Sequence, residues 1–194
     1  MAIKLHRSRI LGATPALLIK ENIEIGKRIV DVYKEAKFYR KLKTQEAIAT
    51  IIRNCNGTLG ASGNFKNGCL YRQKGLQEFW KSKSGEKVVC DHAIPVSELV
   101  RMHVEEGELI ERLIFSPVVR ISLEANDKLT RSGYAKSGFK TGFPLFRYSH
   151  INIEIVTHNG ASVDPAIWTD KDHMTLVRST SELAPILKSL NIKG

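Results

Sequence analysis

The chain predicts an α+β fold, helical in its first third and mixed thereafter. Apolar residues recur at three- and four-residue spacing between Glu21 and Asn54, as they do on the buried face of a helix. A turn-rich stretch from Gly57 to Gly68, carrying Gly60, Gly63, Asn64 and Asn67, interrupts that pattern. Short runs of β character follow it at Lys87-Val88-Val89-Cys90, Val118-Val119-Arg120-Ile121 and Ile151-Asn152-Ile153-Glu154-Ile155-Val156, separated by helical patterns.

Each element has its own reason. Residues 1–14 carry Lys4, His6, Arg7 and Arg9 without periodicity and read as a basic arm able to lie along phosphates. From about Glu21 to Phe38 the stripe Ile25, Ile29, Val32, Ala36 and Tyr39 predicts an amphipathic helix with Lys27, Arg28, Lys34 and Lys37 on other faces. Thr44 is the expected N-cap of a second helix, Gln45 to Asn54, buried through Ala47, Ile48, Ile51 and Ile52 and ended by Asn56-Gly57. The best internal boundary then divides a helical N-terminal region, 1–68, from the remainder, 69–194.

Tyr71 to Trp80 reads as a short helix and Ser82 to Glu86 as a polar turn before the strand that ends in Asp91-His92. Ser97 to Leu113 predicts one or two helices broken near Gly107. After the strand at 118–121, Ser122 is a natural N-cap, and Glu124 and Asp127 sit early in the helix it opens, where the dipole favours negative charge; Gly133 stops it. An alternating strand over 151–156, a turn at His158-Asn159-Gly160 and a terminal helix from Ser181 to Leu190 complete the reading.

With 194 residues, 42% of them hydrophobic, the chain can bury one good core. Thirty Lys and Arg against twenty Asp and Glu give a net charge of +10, spread along the chain, which favours a polyanionic partner such as nucleic acid. No stretch approaches the roughly 18 apolar residues that cross a bilayer, so the expectation is a cytoplasmic protein with no membrane partner. Cys55, Cys69 and Cys90 are odd in number and form no CxxC pair, so neither a disulfide framework nor a structural zinc is expected.

Chemistry concentrates at Cys90-Asp91-His92-Ala93-Ile94-Pro95. A carboxylate can hold a divalent cation against a phosphate oxygen, while a neutral imidazole takes a proton from the attacking water. Adjacent side chains on a strand point to opposite faces, so Asp91 and His92 reach one site only if the strand bends or ends there; Pro95 and Ser97 make an ending plausible. One carboxylate holds a metal loosely, and Asn126 on the Ser122–Gly133 helix is the candidate second ligand, with Asp127 as its substitute. Arg120, Arg131, Lys136 and Lys140 surround that helix and its following loop and are candidates for phosphate contact. Trp80 and Trp168 read as packing residues.

Strand with Asp-His, second strand, then helix with Asn: in this order the chain resembles the HNH, or ββα-metal, endonuclease family over roughly 88–133. Arg147-Tyr148 before an Ile-rich strand resembles an extension of its restriction-enzyme-like members. The resemblance implies a hairpin packed on a helix around one metal, with Asp91 and Asn126 as ligands and His92 as general base. It departs from the family in carrying a helical insertion, 97–113, where compact members have a short loop, and in lacking a clear Asn to orient the base from that loop, which leaves a backbone carbonyl for the task. The expected activity is site-specific hydrolysis of double-stranded DNA with Mg²⁺, or Mn²⁺ in its place, by a chain that forms a homodimer if it cuts both strands. The rivals are a non-specific DNA or RNA nuclease and a basic nucleic-acid-binding protein without catalysis.

Overall fold

The computed structural model describes residues 14–59, 69–76 and 87–192, without the side chains of 38–40 and 57–59. The basic arm, the heart of the turn-rich break, Trp80 and the polar turn at 82–86 lie outside those residues. In chain order the elements are helices α1 (Pro15–Glu35) and α2 (Phe38–Leu59), strands β1 (Tyr71–Gln73) and β2 (Val88–His92), helices α3 (Val96–Val104) and α4 (Ile110–Leu113), and strand β3 (Val118–Ser122). Helix α5 (Leu123–Arg131), a 3-10 helix (Phe146–Ile151), strands β4 (Ile155–Thr157) and β5 (Ser162–Val163), and helices α6 (Asp170–Ser179) and α7 (Ala184–Ser189) follow. The fold is α+β with a helical N-terminal part.

Local chemistry sets the helix starts, in two cases earlier than the apolar pattern predicts. Thr14 caps α1, its hydroxyl accepting the Leu17 N–H at 3.2 Å, and Pro15 supplies the helical φ at the first position. The buried stripe of α1 is Ile19, Ile23 and Gly26; Ile25 and Val32, expected inside, are half exposed. Gly26 lies where α1 meets α4, and a Cβ there would stand 2.4 Å from Ile110 Cδ1. Helix α2 starts six residues before its expected cap, and the Thr44 hydroxyl instead donates to the Lys41 carbonyl within the helix. Gly107, at φ 76°, separates α3 from α4 as expected.

Two strands differ from expectation because pairing partners outweigh local propensity. Tyr71–Gln73, expected helical, is a strand between β3 in parallel and β4 in antiparallel register. The expected strand at 151–156 is delayed: Ile151 ends a 3-10 helix, Asn152 takes a left-handed conformation at φ 51°, and pairing begins at Ile155. Helix α6, not expected from the apolar pattern, is set by a capping box between Thr169 and Asp172.

The five-stranded sheet has the order β2-β3-β1-β4-β5. Its main core cluster draws Ile19, Ile23, Ile51 and Cys55 from the helical N-terminal region together with Tyr71, Val119, Ile121, Leu129 and Tyr148, so one core spans the expected boundary. Each fully buried aliphatic side chain in it contributes about 1.5–3 kcal/mol. A second cluster packs α3 and α4 against α2 through Ile48, Ile52, Leu99, Val100 and Leu113. Among the described residues no helix is long and apolar enough to cross a membrane.

Candidate active site

Strands β2 and β3 pair from Val88 opposite Ser122 to His92 opposite Val118, and Ala93 extends the ladder by donating to the Pro117 carbonyl at 2.9 Å. Helix α5 starts at the very end of β3: the Ser122 hydroxyl accepts the Ala125 N–H at 3.1 Å, and the Ser122 N–H donates to Gln73 Oε1 at 3.0 Å. The hairpin-then-helix order expected from sequence is therefore the local architecture, with α5 touching both strands and the 3-10 helix.

Asp91 and His92 stay in regular register, so they occupy opposite faces of the sheet rather than converging at a bend. Asp91 faces the 3-10 helix. Its Oδ2 accepts from Arg147 Nη2 and, at 2.7 Å, from the Tyr148 hydroxyl. The Arg147 side chain is only 1% exposed, and its Nη1 also donates to the Ala135 carbonyl at 3.1 Å. Burial opposes the Arg147 charge, yet Tyr148 and Asp91 beside it hold its pKa above the ordinary arginine value. Asp91 Oδ1 has no hydrogen-bond partner among the described residues.

His92 faces α2. Its Nε2 lies 3.2 Å from Asn56 Oδ1, and the Asn56 amide nitrogen donates to the Ile114 carbonyl at the end of α4. That second bond fixes which way the Asn56 amide points. An amide oxygen only accepts, so His92 Nε2 carries the hydrogen and Nδ1 is left with its lone pair. Burial, reinforced by Arg53 and Arg147 against the opposing pull of Asp91, pushes the His92 pKa down to about 4 and keeps the ring neutral at pH 7. A side-chain partner for His92 is thus supplied by Asn56 of α2, and the end of α4 contributes the carbonyl that holds the amide. Asn56 was missed because it lies 36 residues upstream of His92 and nothing local in the sequence links them. Replacing Asn56 with alanine is expected to orphan the Ile114 carbonyl and free the imidazole, lowering stability by about 1–3 kcal/mol. Urea unfolding measures that loss, and the NMR shifts of the His92 ring nitrogens measure the release of the fixed Nε2–H tautomer.

Asn126 is half buried beside buried Ala125 on α5, and its side-chain amide has no partner among the described residues; Asp127 is also half buried. Among the described residues no group of three or more His, Cys, Asp or Glu is placed to hold a metal ion. A hard cation that keeps most of its water needs fewer protein ligands, and one free carboxylate oxygen with one amide oxygen suits it chemically. Arg147 on the other carboxylate oxygen offsets part of the charge that would attract it.

The expected phosphate contacts divide. Arg131, Lys136 and Lys140 are exposed on the end of α5 and the loop beyond, with Lys140 Nζ 4.1 Å from the Phe143 ring centre. Arg120 is only 3% exposed, opposite Cys90 within the sheet, and so is removed from the surface where a backbone would lie. Trp168 packs as expected, its indole N–H donating to the Tyr71 hydroxyl at 3.1 Å. Cys69 and Cys90 face each other with sulfurs 3.7 Å apart.

No family model, no curated protein and no solved structure matches the chain.

Proposed function

We propose that this protein is a metal-dependent endonuclease that hydrolyses DNA phosphodiesters, site-specific and of the restriction type. The observation that carries the reading is His92: a half-buried, neutral imidazole at the end of a strand pair that runs directly into a capped helix, with Nε2–H tied to Asn56 and Nδ1 left as the base. Asn56 fixes the ring and its tautomer, and Nδ1 takes the proton from water as its oxygen attacks phosphorus; the bond from phosphorus to the 3′ sugar oxygen breaks, and that oxygen takes a proton from solvent. Arg147 and Tyr148 hold the Asp91 carboxylate by one oxygen and leave the other for ligation. Asp91 and Asn126 would hold Mg²⁺, or Mn²⁺ in its place, to supply positive charge to the scissile phosphate; because regular pairing of β2 sets Asp91 and His92 on opposite faces, this reading requires the end of β2 to turn when metal and DNA bind. Arg131, Lys136 and Lys140 add cations on the α5 side. Cutting both strands calls for a homodimer.

The test is incubation of supercoiled plasmid, linear duplex and single-stranded RNA with wild type and His92→Ala, in Mg²⁺, Mn²⁺ or EDTA. Discrete metal-dependent DNA fragments are expected from wild type, with the rate in the variant lower by about 10²–10⁴. A smear or loss of RNA moves the reading to a non-specific nuclease. A second reading, a basic nucleic-acid-binding protein without catalysis, is favoured by the engagement of Asp91 with Arg147 and Tyr148, which gives that carboxylate a structural use. It predicts no product from any substrate and equal retardation of DNA by both proteins.

A further inference from the structure

A groove of about 490 Å³ opens between α2 and α3 on the His92 side of the sheet, with Glu46, Thr50, Arg53, Val96, Ser97 and Val100 among its walls. Arg53 lies one helical turn before Asn56, on the same face of α2, and its charge reaches the His92 ring. It is exposed and makes no hydrogen bond or ion pair among the described residues. Glu46, the one carboxylate in the wall, is paired with Lys43 at 2.8 Å, so Arg53 is left as the groove's uncompensated charge. Chain segment 92–97 joins the base directly to the groove's other wall.

The geometry points to this groove as the seat of the DNA strand's sugar-phosphate backbone, with Arg53 bound to a phosphate next to the one that His92 faces. The inference rests on the nuclease reading and names where its substrate lies: on the α2 and α3 side, not only along the basic loop after α5. A guanidinium suits the task because its planar fork binds two phosphate oxygens at once, and the chain's net charge of +10 favours a polyanion over a neutral occupant. Ser97 adds a hydroxyl able to donate to a phosphate or sugar oxygen, whereas that of Thr50 donates to the Glu46 carbonyl at 2.9 Å.

The experiment measures binding of a fluorescein-labelled DNA duplex in EDTA, where the metal-dependent cleavage is off, across a salt series. Arg53→Ala is expected to weaken binding several-fold and to lower the slope of log K against log salt by about one. Arg53→Lys retains the slope. Lys171→Ala on α6, which removes the same charge elsewhere, leaves both affinity and slope near wild type. Thr50→Trp, which fills the groove without changing charge, also weakens binding, and thermal melts check that each variant is folded. If Arg53→Ala behaves as Lys171→Ala does, or if wild type does not bind DNA, the inference falls. The nuclease reading is decided separately by metal-dependent cleavage in wild type and His92→Ala. Cleavage with an indifferent Arg53 overturns the groove alone, whereas Arg53-dependent binding without cleavage overturns the nuclease alone.

Discussion

Replacing Arg147 with methionine is expected to destabilise the protein by up to about 3–5 kcal/mol, because it leaves the half-buried Asp91 carboxylate beside a single remaining donor, Tyr148. The guanidinium is 1% exposed and serves two acceptors at once, Asp91 Oδ2 and the Ala135 carbonyl, which ties the loop after α5 to β2. Lysine is therefore a poor substitute: a single ammonium does not reproduce the fork. The double variant Arg147→Met, Asp91→Leu removes both charges and is expected to recover most of the loss, since the cost lies in the orphaned carboxylate. Urea unfolding of the two single variants and the double one reads this as a coupling. A loss below about 1 kcal/mol in Arg147→Met would mean that water reaches Asp91 and that the pair is screened as a surface bridge would be.

Acid is expected to unfold this protein early, through two histidines held in the neutral form, His173 buried and His92 half-buried. His173 is 4% exposed; its Nε2–H donates to the Phe115 carbonyl at 2.6 Å, and its Nδ1 accepts the Tyr71 hydroxyl at 2.8 Å. Burial, against the opposing Phe115 carbonyl, pushes its pKa down to about 4, as burial first among several causes does for His92. Both folded values lie below the unfolded value of about 6.5. Between pH 6.5 and 4 the unfolded chain therefore binds more protons, and stability falls as pH falls through that window; below about 4 these two groups add nothing further. A drop from 6.5 to about 4 corresponds to roughly 3 kcal/mol for each ring, with less from the half-buried His92, an amount comparable to the whole stability of many domains. Urea unfolding at pH 7, 5.5 and 4.5 measures it. His173→Gln, which retains an amide donor for Phe115, is expected to flatten about half of the slope, and equal stability at pH 7 and 4.5 in wild type would refute the assignment.

Local signals in the sequence were legible wherever the physics is local. The Ser122 cap, the break at Gly107, the strand at 118–121 and the stop at Gly133 follow from side chains that act on their own or adjacent backbone. The buried stripe of α2 was readable for the same reason, whereas that of α1 was displaced because Thr14 and Pro15 start the helix earlier than the apolar pattern suggests. In the candidate site, Asp91, His92, Asn126 and the Arg147-Tyr148 pair were all visible as residues, and Arg53 and Asn56 were not.

By itself, then, the sequence determined the α+β class and the strand-to-helix step at Ser122, and offered the residues proposed to bring chemistry to it, because propensity, capping and charge act over a few residues. Tertiary structure decided what those residues face. Strand register put Asp91 and His92 on opposite sides of the sheet, since regular pairing through Ala93 leaves no bend to bring them together. Packing of α2 against β2 and α4 gave His92 its partner, and the 3-10 helix gave Asp91 its own, across separations of 36 and 56 residues in the chain. Contacts of that range depend on how helices and strands pack, and no short window of sequence carries them.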